Sequence, residues 1–125
     1  MPSTADAPES ATVNVAVLRG VCPNPPDVRV LESGRRLGSL ALRTHGPGAR
    51  ATSVPVTVWD PPTWLETLAG GEELVVVGAV HRRFFRTPTG SAAKAEVEAT
   101  YVARATPKRL ATAWRRAEDA LEGLA

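Results

Sequence analysis

The sequence predicts an all-β chain. The expected form is a five-stranded Greek-key barrel with a short helix between the third and fourth long strands and an added C-terminal helix. Three observations predict it. Runs rich in β-branched residues recur at 13–20, 54–59 and 74–85, each too short and too β-branched for a helix. Clusters of Pro, Gly, Asn and Ser separate them and act as turns. The clearest helical periodicity, at Leu110, Trp114, Ala117, Leu121 and Leu124, comes after the last strand.

Residues 1–11 read as a disordered leader of Pro, Ser, Ala and Asp. They include Asp6 and Glu9 and no apolar stretch, so no secretory signal is expected. The first strand is expected over 12–21. Cys22-Pro23-Asn24-Pro25-Pro26 cannot continue it, because each proline removes a ladder donor. A short strand at 28–31 leads to the turn Glu32-Ser33-Gly34. The strand 37–44 places Leu40 and Leu42 on one face, and after the loop His45-Gly46-Pro47-Gly48 its hairpin partner runs over 52–59.

Asp60-Pro61-Pro62 opens a short helix, with Asp60 placed to cap it and proline suited to its first position. Trp64, Leu65 and Leu68 make its apolar face, and Gly70-Gly71 end it. The long strand 74–85 has Gly78 in its middle, where a bend or bulge is expected. Thr87-Pro88-Thr89-Gly90 turns the chain, and 93–104 returns. Thr106-Pro107 caps a last helix running to about residue 122. The division is a leader (1–11), a barrel domain (12–105) and an amphipathic helix (106–125). The break at Thr106-Pro107 implies that no barrel hydrogen bond depends on the helix. Five strands with a helix in that place is the plan of an OB-fold.

Composition excludes several classes. At 125 residues the chain suits one domain. Arg82 and Arg83 interrupt the longest apolar run well short of a membrane span. Cys22 is the one cysteine, so neither an internal disulfide nor a multi-cysteine metal site is expected, and its thiol reads as inert. His45 and His81 lack a second ligand at metal spacing. No nucleophile elbow, phosphate loop or carboxylate cluster is present, and Glu96 and Glu98 read as water-facing alternate positions on a strand. An enzyme is therefore the least favoured class, no cofactor is expected, and a cytoplasmic, nucleoid-associated location is the default.

Net charge is only +2. Distribution says more: residues 13–105 hold eleven Arg and Lys against eight Asp and Glu. All basic residues but Lys94 and Lys108 are arginine, which binds phosphate bidentately and stacks on bases.

Trp59 follows Val54, Val56 and Val58 and so projects to the face opposite them. Phe84 shares the parity of Leu74, Val76 and Val80, which predicts Phe84 inside and Phe85 outside. Trp64 is expected in the core. His81, Arg82, Arg83 and Arg86 surround the phenylalanines, with Arg82 and Arg83 on opposite faces, and Arg36 and Arg43 are further basic candidates. Aromatic rings beside arginines are what a stacking surface for unpaired bases requires.

Over residues 13–105 the chain resembles the bacterial single-stranded DNA-binding protein family. The likeness runs through Asn14 and Gly20, Pro26-Asp27-Val28-Arg29, Ser33-Gly34, Leu40-Ala41-Leu42, Trp59, Leu68 with Gly70-Gly71, Val75 to Gly78, and Arg83, Phe85, Gly90 and Glu96-Val97. It implies an OB-fold that binds and protects single-stranded DNA, with little regard to sequence, in replication, recombination or repair. It also implies a homo-oligomer, dimer or tetramer, whose first strands pair. Trp59 and Phe85 occupy two of the family's stacking positions. A third, usually Trp, is Ser53 here, with Pro55 for the basic residue near it, and the loop holding a fourth is shortened to His45-Gly46-Pro47-Gly48. The family's acidic, aromatic C-terminal tip is not matched by Leu121-Glu122-Gly123-Leu124-Ala125. These departures support an alternative: an OB-fold module that binds protein, with little or no affinity for DNA, whose C-terminal helix packs on its own barrel, seals a subunit interface or receives a protein partner.

Overall fold

The barrel closes through one short parallel contact. In the computed structural model, which describes residues 12–48 and 50–123, the strands are β1 (Ala16–Cys22), β2 (Asp27–Val30), β3 (Arg36–His45), β4 (Ala51–Trp59), β5 (Glu72–Thr87) and β6 (Gly90–Arg104). Helix α1 (Thr63–Glu66) joins β4 to β5, and α2 (Pro107–Leu121) follows β6. The sheet order is β1-β5-β6-β4-β3-β2, and β1 also meets β3 at Val21 and Arg43. The circuit β1-β5-β6-β4-β3-β1 is therefore closed, with all pairs antiparallel except β4 with β6. Both β1 and β2 lie along β3: they are one barrel strand, interrupted where the prolines remove its donors. This is a five-stranded OB-fold barrel. The expected leader, Ala49 and Leu124 fall outside the described residues.

Leu40, Leu42, Val56, Val58, Leu74, Val76 and Val97 alternate into the barrel and form its core, which Leu65 and Leu68 seal at one end. Trp64 packs against that core from its edge. Gly78 sits at the expected irregularity, but the extra residue is on the partner strand: Val77 pairs with Tyr101 and Gly78 with Ala99, so Thr100 bulges out of β6. A Cβ on Gly78 would stand 2.1 Å from the Glu98 carbonyl oxygen. Only glycine admits so close an approach.

Three expectations are corrected. First, α1 is a single turn capped by Pro62 without a side-chain bond. Asp60 turns away with φ 49 and binds Arg35 and Arg36 instead. Gly70-Gly71 lie beyond the helix, where Gly71 N donates to Cys22 O at 2.7 Å. Second, Phe84 is not inside. It keeps the inward parity of Leu74 and Val76, but β5 and β6 outrun the barrel, and from Val80 onward that parity faces no core. Val80 is 54% exposed and Phe84 70%. Third, α2 buries a different stripe. Leu110, Ala113 and Ala117 pack on Val75, Val77, Ala103 and Tyr101, making a second core on the outside of the barrel, while Trp114 and Leu121 stay exposed. The two stripes overlap on the helix surface, and the small alanines let it lie closer to the strands. Thr106 caps the helix as expected, accepting from Arg109 N. Among the described residues, no helix is long and apolar enough to cross a membrane.

Candidate nucleic-acid interface

Cross-strand partners share a face, so the register fixes which side chains stand together. On the outer face of β3 lie Leu37, Ser39, Ala41 and Arg43, opposite Trp59, Thr57, Pro55 and Ser53 of β4. Thr57 is level with Glu98 of β6, and Glu98 with Ala79 of β5. From there the face continues into the arm formed by the ends of β5 and β6, where His81 pairs with Glu96, Arg83 with Lys94 and Phe85 with Ala92. The middle is an open groove of about 520 Å3 between Ser39, Ala41, Pro55 and Thr57 on one side and Arg83, Lys94 and Glu96 on the other. The Pro23–Pro26 interruption overhangs it through Asn24 and Pro25.

Five of the sequence-predicted residues thus share one face: Trp59, Arg43, His81, Arg83 and Phe85. Trp59 and Phe85 stand at opposite ends, eight residue steps apart along the strands, or roughly 26 Å. Trp59 is half-buried beside its cross-strand partner Leu37, which is 7% exposed and belongs to neither core. Part of the indole therefore covers Leu37, and the Arg35 guanidinium lies over the ring. Phe85 is 44% exposed.

The other three are placed elsewhere. Arg82 and Arg86 lie on the reverse face of the arm with Val80 and Phe84. Arg36 has the inward parity at the barrel end and forms an ion pair with Glu66 of α1, which takes it away from the groove.

One residue corrects the sequence reading outright. Glu96 does not face water: its side chain is 4% exposed, and its Oε1 stands 3.2 Å from Arg83 Nε. Lys94 was missed altogether. The signal for their placement beside Arg83 was present, because the two-residue turn Pro88-Thr89 pairs Thr87 with Gly90 and hence Arg83 with Lys94 and His81 with Glu96; the burial of Glu96 had no such signal.

The thiol of Cys22 is fully buried and donates to Asn24 O at 3.1 Å. Burial pushes it above the usual thiol range, the backbone at Asn24 opposes this, and the Glu72 charge adds to the rise. It offers no reactive group to the groove. Among the described residues, no group of His, Cys, Asp and Glu is arranged to hold a metal ion.

No protein-family model matches the chain, and no curated protein matches it. Solved structures do. The wild-type single-stranded DNA binding protein from Thermus aquaticus superposes with a TM-score of 0.62 over 75% of this chain, at 24% sequence identity. This chain shares its fold. A deletion mutant of the same Thermus protein matches equally, with a TM-score of 0.62 and 24% identity. The chain spans 41% and 42% of the lengths of these two proteins. The resemblance read from residues 13–105 is upheld as a likeness of fold.

Proposed function

We propose that the chain binds single-stranded DNA along the outer face of the barrel, from Trp59 across the groove to Phe85. One observation carries this reading. The register gathers two aromatic rings, the cations Arg43, Arg83 and Lys94 and the imidazole of His81 on a single open face, on the fold of proteins that bear the name single-stranded DNA binding protein. The rings offer stacking surfaces and the cations meet phosphates. Neither interaction reads a base edge, so binding is broadly tolerant of sequence. Protection of single strands during replication, recombination or repair is the corresponding role. Assembly into a dimer or tetramer would offset, through multivalency, the stacking lost at Ser53 and in the shortened loop.

The alternative, a protein-binding module, has one specific observation in its favour: Trp114 and Leu121 remain 64% and 57% exposed on α2. A single titration separates the two. Tryptophan emission is followed as a mixed-sequence single-stranded oligonucleotide is added at several salt concentrations. Quenching is expected, with log affinity falling linearly in log salt by about 0.7 per phosphate neutralised. No response at low salt would leave the protein-binding reading.

A further inference from the structure

The least expected member of the groove is a carboxylate. Glu96 stands level with His81 and diagonal to Arg83, and it is almost wholly covered. Arg83 engages it through Nε. A carboxylate accepts about four hydrogen bonds, and a charge held out of water without enough donors is strongly disfavoured. The polar groups that line the groove with Glu96 and Arg83 are the hydroxyls and amide of Ser39, Ser53, Thr57 and Asn24, the ammonium of Lys94 and a second carboxylate, Asp27. No aromatic residue lines this stretch, so bases lying between Trp59 and Phe85 meet hydrogen-bonding groups and not rings.

We propose that Glu96 is a specificity-determining residue: it accepts hydrogen bonds from base edges that carry amino hydrogens, so that the groove favours cytosine, adenine and guanine over thymine. This rests on the reading of the groove as a single-strand site. Only the small part of the Glu96 side chain that borders the groove meets water, and a strand lying there replaces that water with a base edge, which must then supply the donor. Cytosine supplies its 4-amino group and adenine its 6-amino group, and guanine supplies an imino and an amino hydrogen side by side. Thymine has no amino group, and its one imino hydrogen is flanked by carbonyl oxygens that repel the carboxylate. Stacking and phosphate contact are nearly blind to this difference, so the preference is read by a carboxylate, and a Glu96 substitution separates Glu96 from Asp27, the other carboxylate of the lining.

The test compares oligo-dC with oligo-dT of equal length at one salt concentration and neutral pH. Oligo-dC should bind roughly tenfold more tightly, the scale of one hydrogen bond to a charged acceptor. Replacing cytosine by pyrimidin-2-one, which lacks the 4-amino group and adds no bulk, should bring the affinity to that of oligo-dT. This arm leaves the protein unaltered, so folding does not enter it. Glu96→Gln should bind both oligomers more tightly, because a negative charge leaves the groove, and should bring the ratio towards one. Equal affinity for oligo-dC and oligo-dT, or a preference that survives loss of the amino group, overturns the role of Glu96. If neither oligomer binds at low salt, the single-strand reading of the groove fails and takes this role with it.

Discussion

The guanidinium of Arg35 lies over the ring of Trp59, 4.3 Å from its centroid. The same side chain donates from Nη2 to Asp60 Oδ2 at 3.1 Å. Asp60 N in turn donates to Arg36 O at 2.8 Å. The turn before β3 is thereby clamped to the end of β4, and one face of the indole is occupied before any ligand arrives. A cation over an aromatic face is attracted by the ring quadrupole, so displacing Arg35 is part of what a stacking base must do.

That clamp depends on pH. The side-chain bond from Arg35, then the backbone N–H of Arg36, holds the Asp60 carboxyl below the usual aspartate range. A depressed carboxyl stabilises the fold above its unfolded value, and the contribution is lost as pH falls through the folded value. The clamp is therefore intact at neutral pH and released in acid. In a variant whose other tryptophans are Phe (Trp64→Phe, Trp114→Phe), Trp59 emission should step below about pH 3.9. Asp60→Asn should remove the step.

Trp59→Ala should weaken single-strand binding by about 1–3 kcal/mol, the range for one stacked base. Trp64→Ala should act chiefly on stability, because Trp64 packs against the barrel core with Arg104 over its ring. Oligonucleotide titration and thermal melting of both variants check this. A greater loss of binding in Trp64→Ala at equal stability would reverse the assignment of the two faces.

Arg83 and Arg82 are neighbours with opposite expectations. Arg83→Ala leaves Glu96 covered and unpaired, and should destabilise the fold by about 1 kcal/mol or more. Arg82 lies exposed on the back of the arm, and Arg82→Ala should stay within about 0.5 kcal/mol. Urea unfolding of both variants, with Arg83→Ala repeated in a Glu96→Gln background, isolates the pair. The penalty should shrink when the buried charge is absent.

Removing α2 after Ala105 should destabilise the barrel, even though the break at Thr106-Pro107 leaves no barrel hydrogen bond dependent on the helix. No strand ladder is lost, but Val75, Val77 and Ala103 lose their cover. Two valines returned to water remove on the order of 3–6 kcal/mol. The truncated chain should melt markedly lower, whereas Trp114→Ala, at a site 64% exposed, should scarcely move the melting temperature. An unchanged melting temperature after truncation would mean that α2 does not hold this packing in solution.

Strand identity and order were legible in the residues themselves. β-branched runs and proline breaks are local, and so is the Pro88-Thr89 turn, whose register was open to counting from either side. The outward projection of Trp59 followed from alternation alone. What alternation cannot supply is the surface opposite each face. Phe84 has the parity of a core residue, yet β5 and β6 leave the barrel before reaching it, and how far a hairpin outruns its barrel depends on where other strands end. Leu110 begins both candidate stripes of α2, and only the shape of the barrel wall chose Ala113 and Ala117 over Trp114. Glu96 looks like a water-facing residue because neighbouring sequence says nothing of β3 and β4, which curl in to form the groove beside it. Periodicity is a property of one strand or helix, whereas burial is decided by what packs against it, and in a closed barrel that neighbour comes from far along the chain.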